Sequence, residues 1–168
     1  MNTPHSHAAR LTQLALLTAV ALILFLVEAQ IPPLVAIPGV KLGLANIITL
    51  VTFYLYGRRD ALMVLLVRIF LGSIFSGQML MLLFSLSGGL FCYAVCALLY
   101  PRIPLKKLWL LSMIGPVCHN IGQILAAILV LGTADVIWYL PALLISGLIS
   151  GCFTGLVAGA VLTRLPRA

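Results

Sequence analysis

Residues 140–162 read LPALLISGLISGCFTGLVAGAVL. No charged side chain interrupts these 23 residues. An uncharged apolar run longer than about 18 residues is the signature of a helix that crosses a bilayer. Gly147, Gly151, Gly155 and Gly159 recur at every fourth position, which places them on one stripe of that helix. Small residues spaced in this way let two helix backbones approach closely in lipid. The stretch therefore predicts a membrane helix with one tightly packed face, used either within the chain or against another chain.

The rest of the chain has the same character. Of its 168 residues, 63% are hydrophobic and 8% charged, and the mean hydropathy is +1.23. A soluble domain is roughly a quarter charged. This composition excludes a soluble domain, a disordered chain, a coiled coil and a nucleic-acid-binding module. Working outward from residues 140–162, the apolar runs predict an all-α, polytopic membrane protein. Its six spans fall at about 11–27, 42–56, 61–76, 79–100, 108–131 and 140–162. At about 20 residues per crossing, six helices use about 120 residues. The whole chain, 1–168, is then a single integral membrane domain with short loops and two tails. The first run has no small-residue cleavage site after it, so it reads as a retained span.

Charge tests this division. With the N-terminus inside, the inner pieces hold Arg10, Arg58, Arg59, Arg102, Lys106, Lys107, Arg164 and Arg167, eight of the ten basic residues. The outer loops hold Lys41, Glu28 and Asp135. The positive-inside rule then predicts six spans with both termini cytoplasmic. Tyr54, Tyr56, Tyr100, Trp109, Trp138 and Tyr139 fall at the span ends, where aromatic belts form. The net charge of +7 accordingly reports orientation, and no nucleic-acid partner is expected.

Three polar groups fall where lipid or protein should be. Arg68 lies inside the third span, and a charge there costs several kcal/mol unless it faces a cavity or a partner. A guanidinium short of nearby acids suits a carboxylate or phosphate ligand; backbone carbonyls would satisfy it equally. His119, Asn120 and Gln123 follow Gly115-Pro116 in the fifth span, with His119 and Gln123 one turn apart. Asn and Gln in a span often serve only as interhelical hydrogen bonds. The third group is the first outer loop, 28–46, which mixes prolines, glycines and apolar residues with Lys41. It is apolar enough to cap a cavity, with Gly39 and Gly43 permitting close backbone approach and Asn46 pointing into the bundle or at a neighbouring helix. Cys92, Cys96, Cys118 and Cys152 lie in apolar runs and read as small hydrophobes. No second histidine or carboxylate stands at ligand spacing, so neither a metal nor another cofactor is expected.

Two stretches carry a resemblance, 37–46 (IPGVKLGLAN) and 68–77 (RIFLGSIFSG). Together, and over essentially the whole chain, they resemble the Gx transporter family, whose members are also labelled heptaprenyl diphosphate synthase component I. That family is similar to the substrate-binding S components of energy-coupling factor (ECF) vitamin transporters. The resemblance implies a multi-pass protein of the bacterial cytoplasmic membrane with six helices and both ends inside. It implies a small-molecule ligand taken from the extracytoplasmic side beneath the first loop, and docking to a transmembrane coupling protein through an Ala-xxx-Ala face on helix 1. Ala15 and Ala19 match that pattern.

Prenyl transfer from a diphosphate needs Mg²⁺ on clustered carboxylates. Glu28, Asp60 and Asp135 are the chain's acids, in three different loops. The chain is therefore expected to accompany a prenyl synthase at most, and not to be an enzyme. It also lacks a G-x-x-x-x-G-K-[ST] loop, so any ATP hydrolysis belongs to a partner. Two readings remain. In the first, Lys41, Asn46, Arg68, His119, Asn120 and Gln123 line the site of a transport component whose ligand is anionic or flavin- or quinone-related. In the second, the chain is a non-catalytic membrane subunit linked to isoprenoid or quinone metabolism or to flavin-based electron export.

Overall fold

The computed structural model describes residues 7–31, 42–77 and 79–165. Lys41 lies outside the described residues. Among the described residues six α-helices follow one another: α1 (His7–Gln30), α2 (Leu44–Tyr56), α3 (Arg58–Phe75), α4 (Met79–Leu99), α5 (Leu108–Leu131) and α6 (Leu140–Arg164). Short 3-10 turns at Tyr100–Arg102, Leu105–Lys107 and Asp135–Tyr139 connect the later helices. The protein is all-α. Four stretches, His7–Gln30, Met79–Arg102, Leu105–Leu131 and Asp135–Arg164, are long and apolar enough to cross a membrane. The chain thus has the build of a membrane protein. The two remaining helices fall short for different reasons. α2 has 13 residues, about 20 Å at 1.5 Å per residue, against a hydrocarbon core of about 30 Å. α3 carries Arg58, Arg59, Asp60 and Arg68.

The helices close a ring in the order α2–α6–α5–α4–α3, and α1 packs across α2 and α3. The α1 boundary differs from the expected 11–27 at both ends. No proline or glycine stands between His7 and Leu11, so the helix extends back to His7. At its far end it runs past Glu28 to Gln30, because a single Glu does not stop a helix. The proline at 32 does, by pushing the residue before it out of the helical region.

Both ends of the bundle are tied by polar contacts. At one end Arg10 donates from Nε and Nη2 to Asp60 Oδ2, at 2.9 and 2.6 Å. The Tyr56 hydroxyl bonds Gln13 Oε1, and the Tyr54 hydroxyl donates to the Ile103 carbonyl. The starts of α1 and α3, the end of α2 and the α4–α5 link therefore share one end. The apolar core, with Phe53, Leu108, Leu111 and Leu162 among its members, fills the half nearest this end. Arg10, Arg58, Arg59, Arg102, Lys106, Lys107 and Arg164 all sit at it. Tyr54 and Tyr100 depart from a simple aromatic belt. With Phe53 and Tyr93 they form a ring cluster at centroid distances of 5.4 to 5.7 Å, because the short α2 draws its aromatic end into the bundle. Trp138, 85% exposed, remains on the outside.

The glycine stripe of α6 lies along α5. A Cβ at Gly151 would collide with the Ser112 carbonyl oxygen, and one at Gly155 would meet Ser112 Cβ at 2.7 Å and Trp109 Cα at 2.9 Å. One at Gly147 would meet Asn120 Nδ2 at 2.9 Å. At Gly159 the nearest atom is Leu108 Cδ2 at 3.9 Å, which is ordinary space. Pro116 has no N–H to give the Ser112 carbonyl, and that freed carbonyl is the one facing Gly151. Close approach also occurs where the glycine stripe drew no attention. Gly88 of α4 meets the His119 backbone, Gly122 of α5 meets Gly88, and Ser87 Oγ donates to the Gly122 carbonyl at 2.8 Å.

Candidate functional site

A cavity of about 80 Å³ lies in the half of the bundle opposite the basic end. Five of the expected ligand residues line it: Asn46, Arg68, His119, Asn120 and Gln123. They come from the start of α2, the second half of α3 and the middle of α5. Ring closure brings together side chains up to 77 positions apart in sequence.

Arg68 is 7% exposed. Its Nε has no hydrogen-bond partner, and no described acid lies within ion-pair distance of its guanidinium. It lies seven residues before the end of α3 at Phe75, about 10 Å along the helix axis. A buried guanidinium left with a free donor is costly, unless something else enters the cavity to accept from it.

Glu28 also lines the cavity, but its oxygens are engaged. Oε1 accepts from the Gly43 N–H at 2.7 Å and Oε2 from the Leu44 N–H at 3.0 Å. The carboxylate thus caps the positive end of α2, where an anion is stabilised by the helix dipole and free N–H groups. Gly43 takes φ 75 there, a left-handed conformation that glycine adopts without strain. The close approach expected at Gly43 is therefore made to Glu28. Charge alone would have matched Glu28 with a cation; capping is a tertiary event, because the donors sit 15 and 16 residues along the chain.

Asn120 has a structural bond as well as a place at the cavity. Its Nδ2 donates to the Leu143 carbonyl of α6 at 2.6 Å. Several serines line the wall too, and Ser73, Ser76, Ser146 and Ser150 are already committed to backbone carbonyls. Ser73 and Ser150 donate to carbonyls three residues earlier in their own helices, at 2.8 and 3.2 Å. Their signal in the sequence was weak, because Ser in a span usually bonds its own backbone. A smaller cavity of about 30 Å³ continues inward and shares Asn46, Pro116 and His119 with the first. Its wall includes Thr49, whose buried Oγ1 has no partner, and the Ser112–Thr154 hydroxyl pair at 2.9 Å.

The remaining acids are placed apart. Asp60 is held by Arg10. Asp135 accepts from the Thr133 hydroxyl at 2.8 Å in the α5–α6 connection. No group of three or more His, Cys, Asp or Glu side chains comes together among the described residues. Cys92 and Cys96 pack at Gly115, whose added Cβ would lie 3.4 and 3.6 Å from their sulfurs.

A family model described as heptaprenyl diphosphate synthase component I matches residues 17–161. The chain belongs to that family. Component I is a non-catalytic subunit, and this component I chain is accordingly not the catalytic prenyl transferase. No curated protein and no solved structure matches the chain. Ala15 and Ala19 both lie on the exposed side of α1, away from the cavity.

Proposed function

We propose that the protein is a membrane-embedded binding and transport component that resembles the S components of ECF transporters. In this reading the chain is one integral domain whose six helices all cross the cytoplasmic membrane of a bacterium. The positive-inside rule makes the basic end and both termini cytoplasmic. The cavity then opens toward the extracytoplasmic side, beneath the first loop. α2 and α3 cross as shielded helices: Arg68 faces inward and α1 covers both.

The observation that carries the reading is the buried Arg68, with an unpartnered Nε, lining a cavity with Asn46, His119, Asn120 and Gln123. Guanidinium binds oxyanions bidentately, and amides and an imidazole orient what it binds. Lys41 is assigned to the same ligand from its position in the sequence, three residues before α2. Ala15 and Ala19 form the face that docks onto a transmembrane coupling protein, whose ATPases drive release. The test is mass spectrometry of small molecules released from the purified protein, with Arg68→Ala in parallel. A compound retained by the wild type and lost from the variant supports the reading. Recovery of bulk phospholipid alone from both overturns it.

A second reading is a membrane subunit that accompanies a prenyl synthase, which the family match favours, or a redox assembly. It differs in needing no ligand at Arg68, and co-purification of a synthase subunit with the Arg68→Ala protein would support it.

A further inference from the structure

A second space adjoins the polar cavity. It is a groove of about 370 Å³ lined by Phe84, Ile124, Ala127, Leu131, Val136 and Tyr139, with Met81 and Gln123 common to both spaces. On α5 the residues Asn120, Gln123, Ala127 and Leu131 follow one another at intervals of three and four, so they form a single stripe. The stripe begins polar in the cavity and ends apolar in the groove. From Gln123 to Leu131 it runs about 12 Å, and it reaches the surface where Met81, Leu131 and Tyr139 are exposed.

The two spaces differ in size as well as polarity. The polar part, about 80 Å³, is about half of the roughly 150 Å³ cavity that admits benzene. It has room for a compact oxyanion and not for a fused ring system. The groove, about 370 Å³, lies within the roughly 300–1,000 Å³ of small-molecule sites. A free inorganic anion would satisfy Arg68 and leave the groove unfilled. An uncharged lipid would fill the groove and leave Arg68 unpaired.

We propose that the ligand is a single-chain anionic amphiphile, with its oxyanion head on Arg68 and its apolar chain along the α5 stripe from Gln123 to Leu131. The proposal rests on the binding reading above and adds the chemical class of the ligand. Glu28 does not repel such a head strongly, because its charge is taken up by the start of α2.

The test uses the full chain in phosphatidylcholine nanodiscs and follows its thermal-unfolding midpoint with decyl phosphate, inorganic phosphate or decanol. A ligand that binds the folded state raises the midpoint. Decyl phosphate is expected to act at least about tenfold below inorganic phosphate, the gain from burying two methylenes, and decanol to have no effect. Ala127→Trp, which fills the groove, should bring decyl phosphate to the level of inorganic phosphate. Leu131→Trp serves at the exposed end of the groove if Ala127→Trp does not fold. Arg68→Gln should abolish both responses. If the two phosphates act alike and neither tryptophan variant changes them, the amphiphile is overturned and the cavity reading stands. If no response depends on Arg68, the cavity reading falls and the amphiphile with it.

Discussion

Replacing Arg68 by alanine removes the one cation in the interior of the bundle among the described residues. No ion pair among the described residues holds Arg68 and its Nε makes no hydrogen bond, so the substitution is expected to leave the fold intact. A monodisperse Arg68→Ala protein with wild-type helix content is the expected outcome; an aggregate would mark the residue as structural. Asn120 should behave in the opposite way. Asn120→Leu deletes the bond to the Leu143 carbonyl, and interhelical bonds of this kind contribute about 0.6 to 2 kcal/mol. A lower unfolding midpoint in detergent would show it. Glu28→Ala removes two acceptors from the start of α2, and loss of a cap costs about 0.5–2 kcal/mol. Glu28→Gln should recover part of that, which a comparison of the two midpoints would show. The residue scale was well legible where a side chain is costly to bury. Arg68, His119, Asn120 and Gln123 stand out in an apolar chain because each needs a partner. Glu28 was legible only as a charge, since its partners are backbone groups delivered by folding.

Among the elements, α6 gives the sharpest contrast. Gly151→Ala forces a methyl group onto the Ser112 carbonyl, whereas Gly159→Ala enters space with nothing nearer than 3.9 Å. The first is expected to push α6 off α5 and to lower the unfolding midpoint by several degrees. The second should leave the midpoint near the wild-type value. Equal effects of the two would show that the stripe packs differently along its length. The spacing of four reveals a stripe but not its end. Gly159 shares the pattern and lacks the contact, because α6 has by then passed the close crossing made by Ser112 and Trp109. Element boundaries were legible to within a few residues, since apolar runs and prolines mark them. The glycines at 88 and 122 were not, because a single close crossing leaves no repeat in the sequence.

For the whole molecule the question is which end faces which side, and what meets α1. Arg102→Cys, in a background without the four native cysteines, is expected to react with an impermeant thiol reagent only from the cytoplasmic side. Labelling from outside would invert the topology. Ala15→Trp and Ala19→Trp sit on the exposed side of α1, so they should prevent capture of a coupling protein without reducing ligand retention. Unchanged capture by both variants would remove the docking face.

Composition and the long apolar runs determined that the chain is an all-α membrane protein, because a backbone in lipid must satisfy itself within a helix or a closed barrel, and uncharged runs of about 20 residues fit the helix. Charge distribution determined the end at which the basic residues gather. What only the tertiary structure decided is the asymmetry of the bundle. The apolar core lies toward the basic end, the cavity lies in the other half, and the apolar groove continues it along α5. Helical periodicity shows which residues share a face, but not which faces of separate helices meet. Here that depends on glycine contacts, the Pro116 carbonyl and the capping by Glu28, all of which join positions far apart in the sequence.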